Sequence, residues 1–87
     1  MVSKKFVVQN EQGLHMRPAG VLAKGVTKFS SDVTIVYNDK KINAKSLLNI
    51  IGACIKYGSE IELVCEGEDE EAALAYATEL IESGLGE

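Results

Sequence analysis

Histidine and proline occur once each and cysteine twice in the 87 residues. No long apolar run appears anywhere, and each of these shortages removes a class of function. A chain of this length builds one small core, so a single domain spanning 1–87 is expected, with no deep multi-residue catalytic cavity. One proline, 46% hydrophobic residues and 25% charged residues describe an ordinary folded chain without a disordered tail. No stretch approaches the ~20 apolar residues of a membrane span, and the opening MVSKKFVVQ has no apolar signal core. A cytoplasmic location with no membrane partner follows as the expectation. Cys54 and Cys65 form no CxxC pair and stand far in sequence from the single histidine. Both read as buried free thiols, and no metal or other cofactor is expected. The formal charge of −4 argues against a nucleic-acid partner, because phosphate backbones demand a basic footprint. The chain has no P-loop and no general base paired with a nucleophile, so a self-standing enzyme is not expected.

What is present begins with a strand, Lys4 to Val8, followed by turn formers from Asn10 to Gly13. Ala19, Leu22, Ala23 and Val26 recur at helical spacing, and Pro18 suits a first helical turn, so a helix starts close to His15 and ends before Ser30. Gly25 inside it costs ~1 kcal/mol relative to alanine and weakens the last turn. Val33, Ile35 and Tyr37 alternate, Asn38 and Asp39 supply turn chemistry, and Lys40 to Asn43 completes a hairpin. Ser46 is an N-cap residue before the stripe Leu47, Ile50, Ile51 and Cys54, with Gly58 as the breaker. EIELVCE, residues 60–66, sets Ile61, Leu63 and Cys65 on one face of a strand. Asp69, Glu70 and Glu71 fall in the first turn of a last helix with Leu74, Ala77 and Ile81 inward and Gly84 as its stop. The order β-α-β-β-α-β-α fits an α+β fold with three helices on one face of a mostly antiparallel sheet.

A lone histidine is a poor signal, but the setting of His15 is unusual. In GLHMRPA the imidazole stands at the start of a helix, where backbone N–H groups lack intrahelical acceptors and bind anions. A phosphoryl group on the ring would be stabilised there, and Arg17 could offer its oxygens a bidentate fork. The same positive surroundings disfavour protonation of the ring and leave a nitrogen lone pair free as nucleophile. A labile phosphoramidate on an exposed ring suits a carrier that must release its group again.

GLHMRPA resembles the active-site signature of the HPr family, the histidine-containing phosphocarriers of the bacterial phosphoenolpyruvate-dependent sugar phosphotransferase system. INAKSLLNIIG resembles the family's regulatory-serine region, and EIELVCEGEDEEAALAYATELIESGLG resembles its ending, so the likeness covers nearly the whole chain. It implies an HPr-like open-faced β-sandwich of four antiparallel strands and three helices. It also implies that His15 accepts phosphate from enzyme I, with Arg17 as electrostatic partner, and passes it to sugar-specific enzyme IIA domains. Met16, Asn49 and Cys54 depart from the family pattern, which has alanine at the first position and glycines at the other two.

Ser46 alone reads as a helix cap worth ~1 kcal/mol. The resemblance implies phosphorylation there by HPr kinase/phosphorylase and use of the product as corepressor of a catabolite control protein. Phosphate at Ser46 would add about two negative charges beside an interface and could switch partners. Leu47, Leu48 and Ile51 cannot all point inward, so at least one is expected on the surface. Together with Met16 and rimmed by Arg17, Lys24 and Lys45, that apolar spot would suit an acidic partner. A monomer fits transient docking on successive partners. The alternatives are a purely regulatory module of the same family, in catabolite repression or a nitrogen-branch phosphorelay, and a ligand-binding domain of ferredoxin-like topology.

Overall fold

A computed structural model describes all 87 residues. Four strands, β1 (Val2–Val7), β2 (Asp32–Tyr37), β3 (Lys40–Asn43) and β4 (Glu60–Glu66), form one antiparallel sheet in the order β1-β4-β2-β3. Three helices, α1 (Met16–Thr27), α2 (Leu47–Gly52) and α3 (Glu70–Glu82), pack against the sheet and one another. β1 starts two residues earlier than its composition suggests because Val2 pairs with Cys65 of β4. Pairing of Val33 with Cys65 and Ile35 with Leu63 sets the inward residues of β2 and β4 side by side. Asn38 and Asp39 take φ of 50° and 66°, the left-handed pair that a tight hairpin between β2 and β3 requires.

The core is one cluster of 19 buried residues. Its helical side is the expected α1 stripe, Ala19, Leu22, Ala23 and Val26, and its sheet side is Phe6, Val33, Ile35, Ile42, Ile61, Leu63 and Cys65. Gly25 has a use that composition hides. A Cβ there would stand 2.5 Å from Leu80 Cδ1 and 3.1 Å from Tyr76, so its absence lets α3 approach α1 closely. Lys28 closes the same seam, with its ammonium 3.6 Å from the Tyr76 ring centre.

Three expectations need correction. Within α3, Ala73 and Ala77 are the fully buried residues, while Leu74 and Ile81 are only partly covered at its flank. Asp69 stands outside the first turn as the cap residue of α3, and its carboxylate turns away from the helix amides. It accepts instead from the amides of Ser30 and Ser31 and from the Ser31 hydroxyl, tying the end of α1 to the start of α3. Finally, α2 stops at Gly52 well before Gly58, and Cys54 is exposed. Cys54 occupies the left-handed region at φ 55°, a position that favours glycine, and this turns the chain out of the helix. Cys65 is buried, as expected, and its burial pushes the thiol up from its ordinary range.

Two outcomes follow from these contacts. The hydrogen bonds from Ser31 and Ser30 hold the Asp69 carboxyl at about 2, below its ordinary 3.8. Its contribution is therefore complete above 3.8 and is lost as pH falls to about 2. Asp69→Asn should lower the Tm at neutral pH, with the gap to wild type closing across that acid window. Cys54→Gly should raise unfolding free energy by ~1 kcal/mol in urea titrations, because it relieves backbone strain without uncovering core.

Candidate functional site

The loop before α1 is built to present His15. Gly13 lies at φ 71°, and a Cβ on it would meet the Ile55 carbonyl oxygen at 2.3 Å and Lys56 Cα at 2.9 Å. Only glycine combines that backbone angle with that approach. Leu14, 4% exposed, plugs the core and donates its amide to the Ile55 carbonyl at 2.9 Å. The chain then turns so that His15 is the N-cap of α1, extended at φ −77° and ψ −167°, with its carbonyl accepting from Ala19 at 3.0 Å. Pro18 has no N–H, so the Met16 and Arg17 amides are the donors left without acceptors inside the helix. The imidazole is 35% exposed beside them.

The surroundings of the ring are less uniformly positive than the sequence suggests. His15 Nε2 lies 2.9 Å from Glu87 Oε2, across 72 residues of chain. Asn10 Nδ2 donates to Glu87 Oε1 at 2.9 Å and to the Gly84 carbonyl at 3.0 Å. Glu87 arrives there because α3 ends in a hydrogen-bonded turn. Leu85 bonds the Leu80 carbonyl and buries its side chain, and Glu87 bonds the Gly84 carbonyl. The Asn10 amide holds the Glu87 carboxyl below its usual range, with His15 and Arg17 adding to the effect. Nothing in the local sequence around either residue signals this pairing.

Arg17 is exposed and has no carboxylate within 4.0 Å, so its guanidinium is available to a bound anion. Met16, whose side chain points out at 68% exposure, keeps its backbone amide at the helix start. Ser46 caps α2, its hydroxyl accepting from the Asn49 amide at 3.3 Å. Leu48 is the exposed member of its trio at 80%, while Leu47 and Ile51 are half-buried against the core. The two helices run in opposite senses. α2 begins near the end of α1, where Lys45 Nζ donates to the Phe29 carbonyl at 2.7 Å, and the chain beyond it returns to Leu14. Leu47 lies over Gly20 of α1, its Cδ1 4.0 Å from where a Cβ on that residue would stand.

The rim expected around the apolar spot is thus only partly assembled. Lys45 is committed to Phe29 at the far end of α1, and Lys24, exposed, occupies the last turn of α1 rather than the first. Charge is still segregated along the chain. Residues 12–31 and 40–59 contain no acidic residue, and none beyond Lys56 is basic. The α1–α2 side is therefore cationic and the α3 side anionic.

A helix-start histidine beside a free arginine is matched by what the chain resembles. The family model described as the PTS HPr component phosphorylation site matches residues 2–83. The chain belongs to the HPr family of the phosphotransferase system. Phosphocarrier protein HPr of Mycoplasma capricolum is 42% identical over 74 residues, spanning 85% of this chain and 83% of that one. Among solved structures, HPr-C-His from Thermoanaerobacter tengcongensis superposes with a TM-score of 0.94 at 38% identity, over 100% of this chain and 98% of that one. The multiphosphoryl transfer protein of Salmonella typhimurium is 37% identical across the whole chain, which spans only 24% of that longer HPr relative. The four-stranded antiparallel sheet and three helices are the HPr fold.

The glycine before the site offers a direct check on how His15 is presented. Gly13→Ala should destabilise the protein by ~1–3 kcal/mol through the left-handed strain and the collision with Ile55. Amide spectra of the variant should show the largest changes at Leu14, His15 and Ile55.

Proposed function

We propose that this chain is a phosphocarrier that accepts a phosphoryl group on His15 from phosphorylated enzyme I and passes it to enzyme IIA domains during sugar uptake. The observation that carries this reading is the half-exposed His15 ring at the start of α1, beside two unengaged amides and the free Arg17 guanidinium. A phosphoryl group on that ring would stand beside the unpaired amides of the helix start, and Arg17 can close on its oxygens with two parallel hydrogen bonds. The ring is 35% exposed, so the site can be reached by a donor and then by an acceptor. The protein acts as a substrate of phosphotransferases rather than as an enzyme, in the cytoplasm, as a monomer and as one module over residues 1–87.

Docking uses the cationic α1–α2 side. Met16 and Leu48 supply exposed apolar contact, Leu47 and Ile51 back it, and Arg17 and Lys24 steer an acidic partner surface. Lys45 contributes by holding the α1–α2 seam. Ser46 lies within the same footprint, since the six residues of α2 span only ~9 Å. Phosphorylation of Ser46 by HPr kinase/phosphorylase would place about two negative charges inside a surface suited to acidic partners. It would weaken those contacts and favour a catabolite control protein instead.

Incubation with radiolabelled phosphoenolpyruvate and a catalytic amount of enzyme I tests the reading. Acid-labile label should appear on the wild type, be absent from His15→Ala and arrive about tenfold or more slowly on Arg17→Ala, the cost of one charge-assisted contact. An unlabelled wild type that an ATP-dependent HPr kinase still modifies at Ser46 would instead mark a purely regulatory module.

A further inference from the structure

The positive rim of the α1–α2 side has a gap at its His15 end. Lys24 stands in the last turn of α1 and Lys45 is spent on the Phe29 carbonyl, so both serve the opposite end of the seam. At the His15 end, Glu87 brings a carboxylate within 2.9 Å of the ring. An acidic partner surface that reaches the ring meets this like charge, and Arg17 is taken up by the phosphoryl group. Lys56 stands beside the gap. It follows Ile55, whose carbonyl accepts from Leu14, and a Cβ on Gly13 would lie 2.9 Å from Lys56 Cα. His15 is two residues beyond Gly13, within ~7 Å of chain.

The backbone around Lys56 is fastened on both sides. The Leu14 amide holds the Ile55 carbonyl at 2.9 Å, and Gly58 and Val8 exchange the next pair of bonds, Gly58 donating to the Val8 carbonyl and Val8 to the Ser59 carbonyl, each at 2.9 Å. The Ser59 amide then closes the turn on the Lys56 carbonyl at 3.1 Å. The side chain, by contrast, is exposed and has no carboxylate within 4.0 Å of its ammonium. A cation on a fixed backbone, with no internal ion pair to break, engages a partner without reordering the loop that carries it.

We propose that Lys56 is a specificity-determining residue of the carrier site, receiving a carboxylate of the acidic partner surface at the His15 end of the α1–α2 side. This rests on the carrier reading above. Arg17 serves the phosphoryl group and Lys56 serves the protein that brings it or takes it away. A partner with a carboxylate at this point is drawn in, and one with a cation there is rejected. Lys56 touches neither the ring nor phosphorus, so its contribution is the same before and during transfer and falls on KM rather than on kcat.

The test measures initial rates of phosphorylation of the full chain against its concentration, with phosphoenolpyruvate and a catalytic amount of enzyme I. Lys56→Ala should raise KM about threefold and Lys56→Glu about tenfold, both with kcat unchanged, while Lys56→Arg should keep the wild-type KM. Lys40→Glu, the same charge change on the β2–β3 hairpin, should leave KM within about twofold of wild type. Both Lys56 effects should disappear near 1 M salt, where the screening length falls to ~3 Å. A structural role would show instead as a KM change that survives salt and is not rescued by arginine. That result, or a Lys56→Glu KM no higher than that of Lys40→Glu, overturns this inference and leaves the carrier reading standing. A wild type that takes no phosphoryl group overturns the carrier reading and the role of Lys56 with it.

Discussion

Leu14 donates its amide to the Ile55 carbonyl across 2.9 Å, and the position of α1 depends on that bond. It can form only because Gly13 brings the two segments together at a left-handed backbone angle and without a side chain. One residue later the chain must leave the core, so His15 becomes the cap of α1 instead of another buried residue. The exposed imidazole, the free amides behind it and the reach of Arg17 all follow from where the helix starts. The same bond ties the segment after α2 to the start of α1, which brings the Ser46 helix alongside the histidine helix. Presentation of the ring and the alignment of α2 with α1 are thus two results of one contact.

A second closure runs through the opposite end of the sequence. Leu85 fills the core beneath the loop that carries Asn10 and turns the last residues back toward His15. A carboxylate is thereby set against a ring that is otherwise surrounded by donors. Two features of opposite sign meet at one imidazole, the donors of the helix start, which favour an anion, and the Glu87 carboxylate 2.9 Å from Nε2. A carrier needs such a balance, because a group held too firmly is never passed on.

Much of this was legible in the residues themselves. The apolar spacing of α1, the alternation in β2 and β4, the hairpin at Asn38–Asp39 and the cap at Ser46 are local signals, and local signals survive folding. The helix start at His15 was legible because glycine, histidine and proline stand within six consecutive residues, Gly13 to Pro18. What stayed hidden depends on distant partners. Gly25 looks like a defect until Leu80 and Tyr76 of α3 are set against it. Cys54 looks like a buried thiol because its neighbours are apolar, yet the chain needs a left-handed residue there and turns it outward. Lys45 looks like a rim cation until the Phe29 carbonyl claims it. Asn10 and Glu87 lie 77 positions apart, and no periodicity connects them.

The measurement that bears most directly on the central claim is the location of the phosphoryl group after exposure to phosphoenolpyruvate and enzyme I. Intact-mass and fragment spectra recorded at alkaline pH, where phosphohistidine survives, should show one added phosphoryl group confined to the fragment containing His15. A group found on Ser46, or on any fragment without His15, would contradict the claim that the start of α1 is the carrier site.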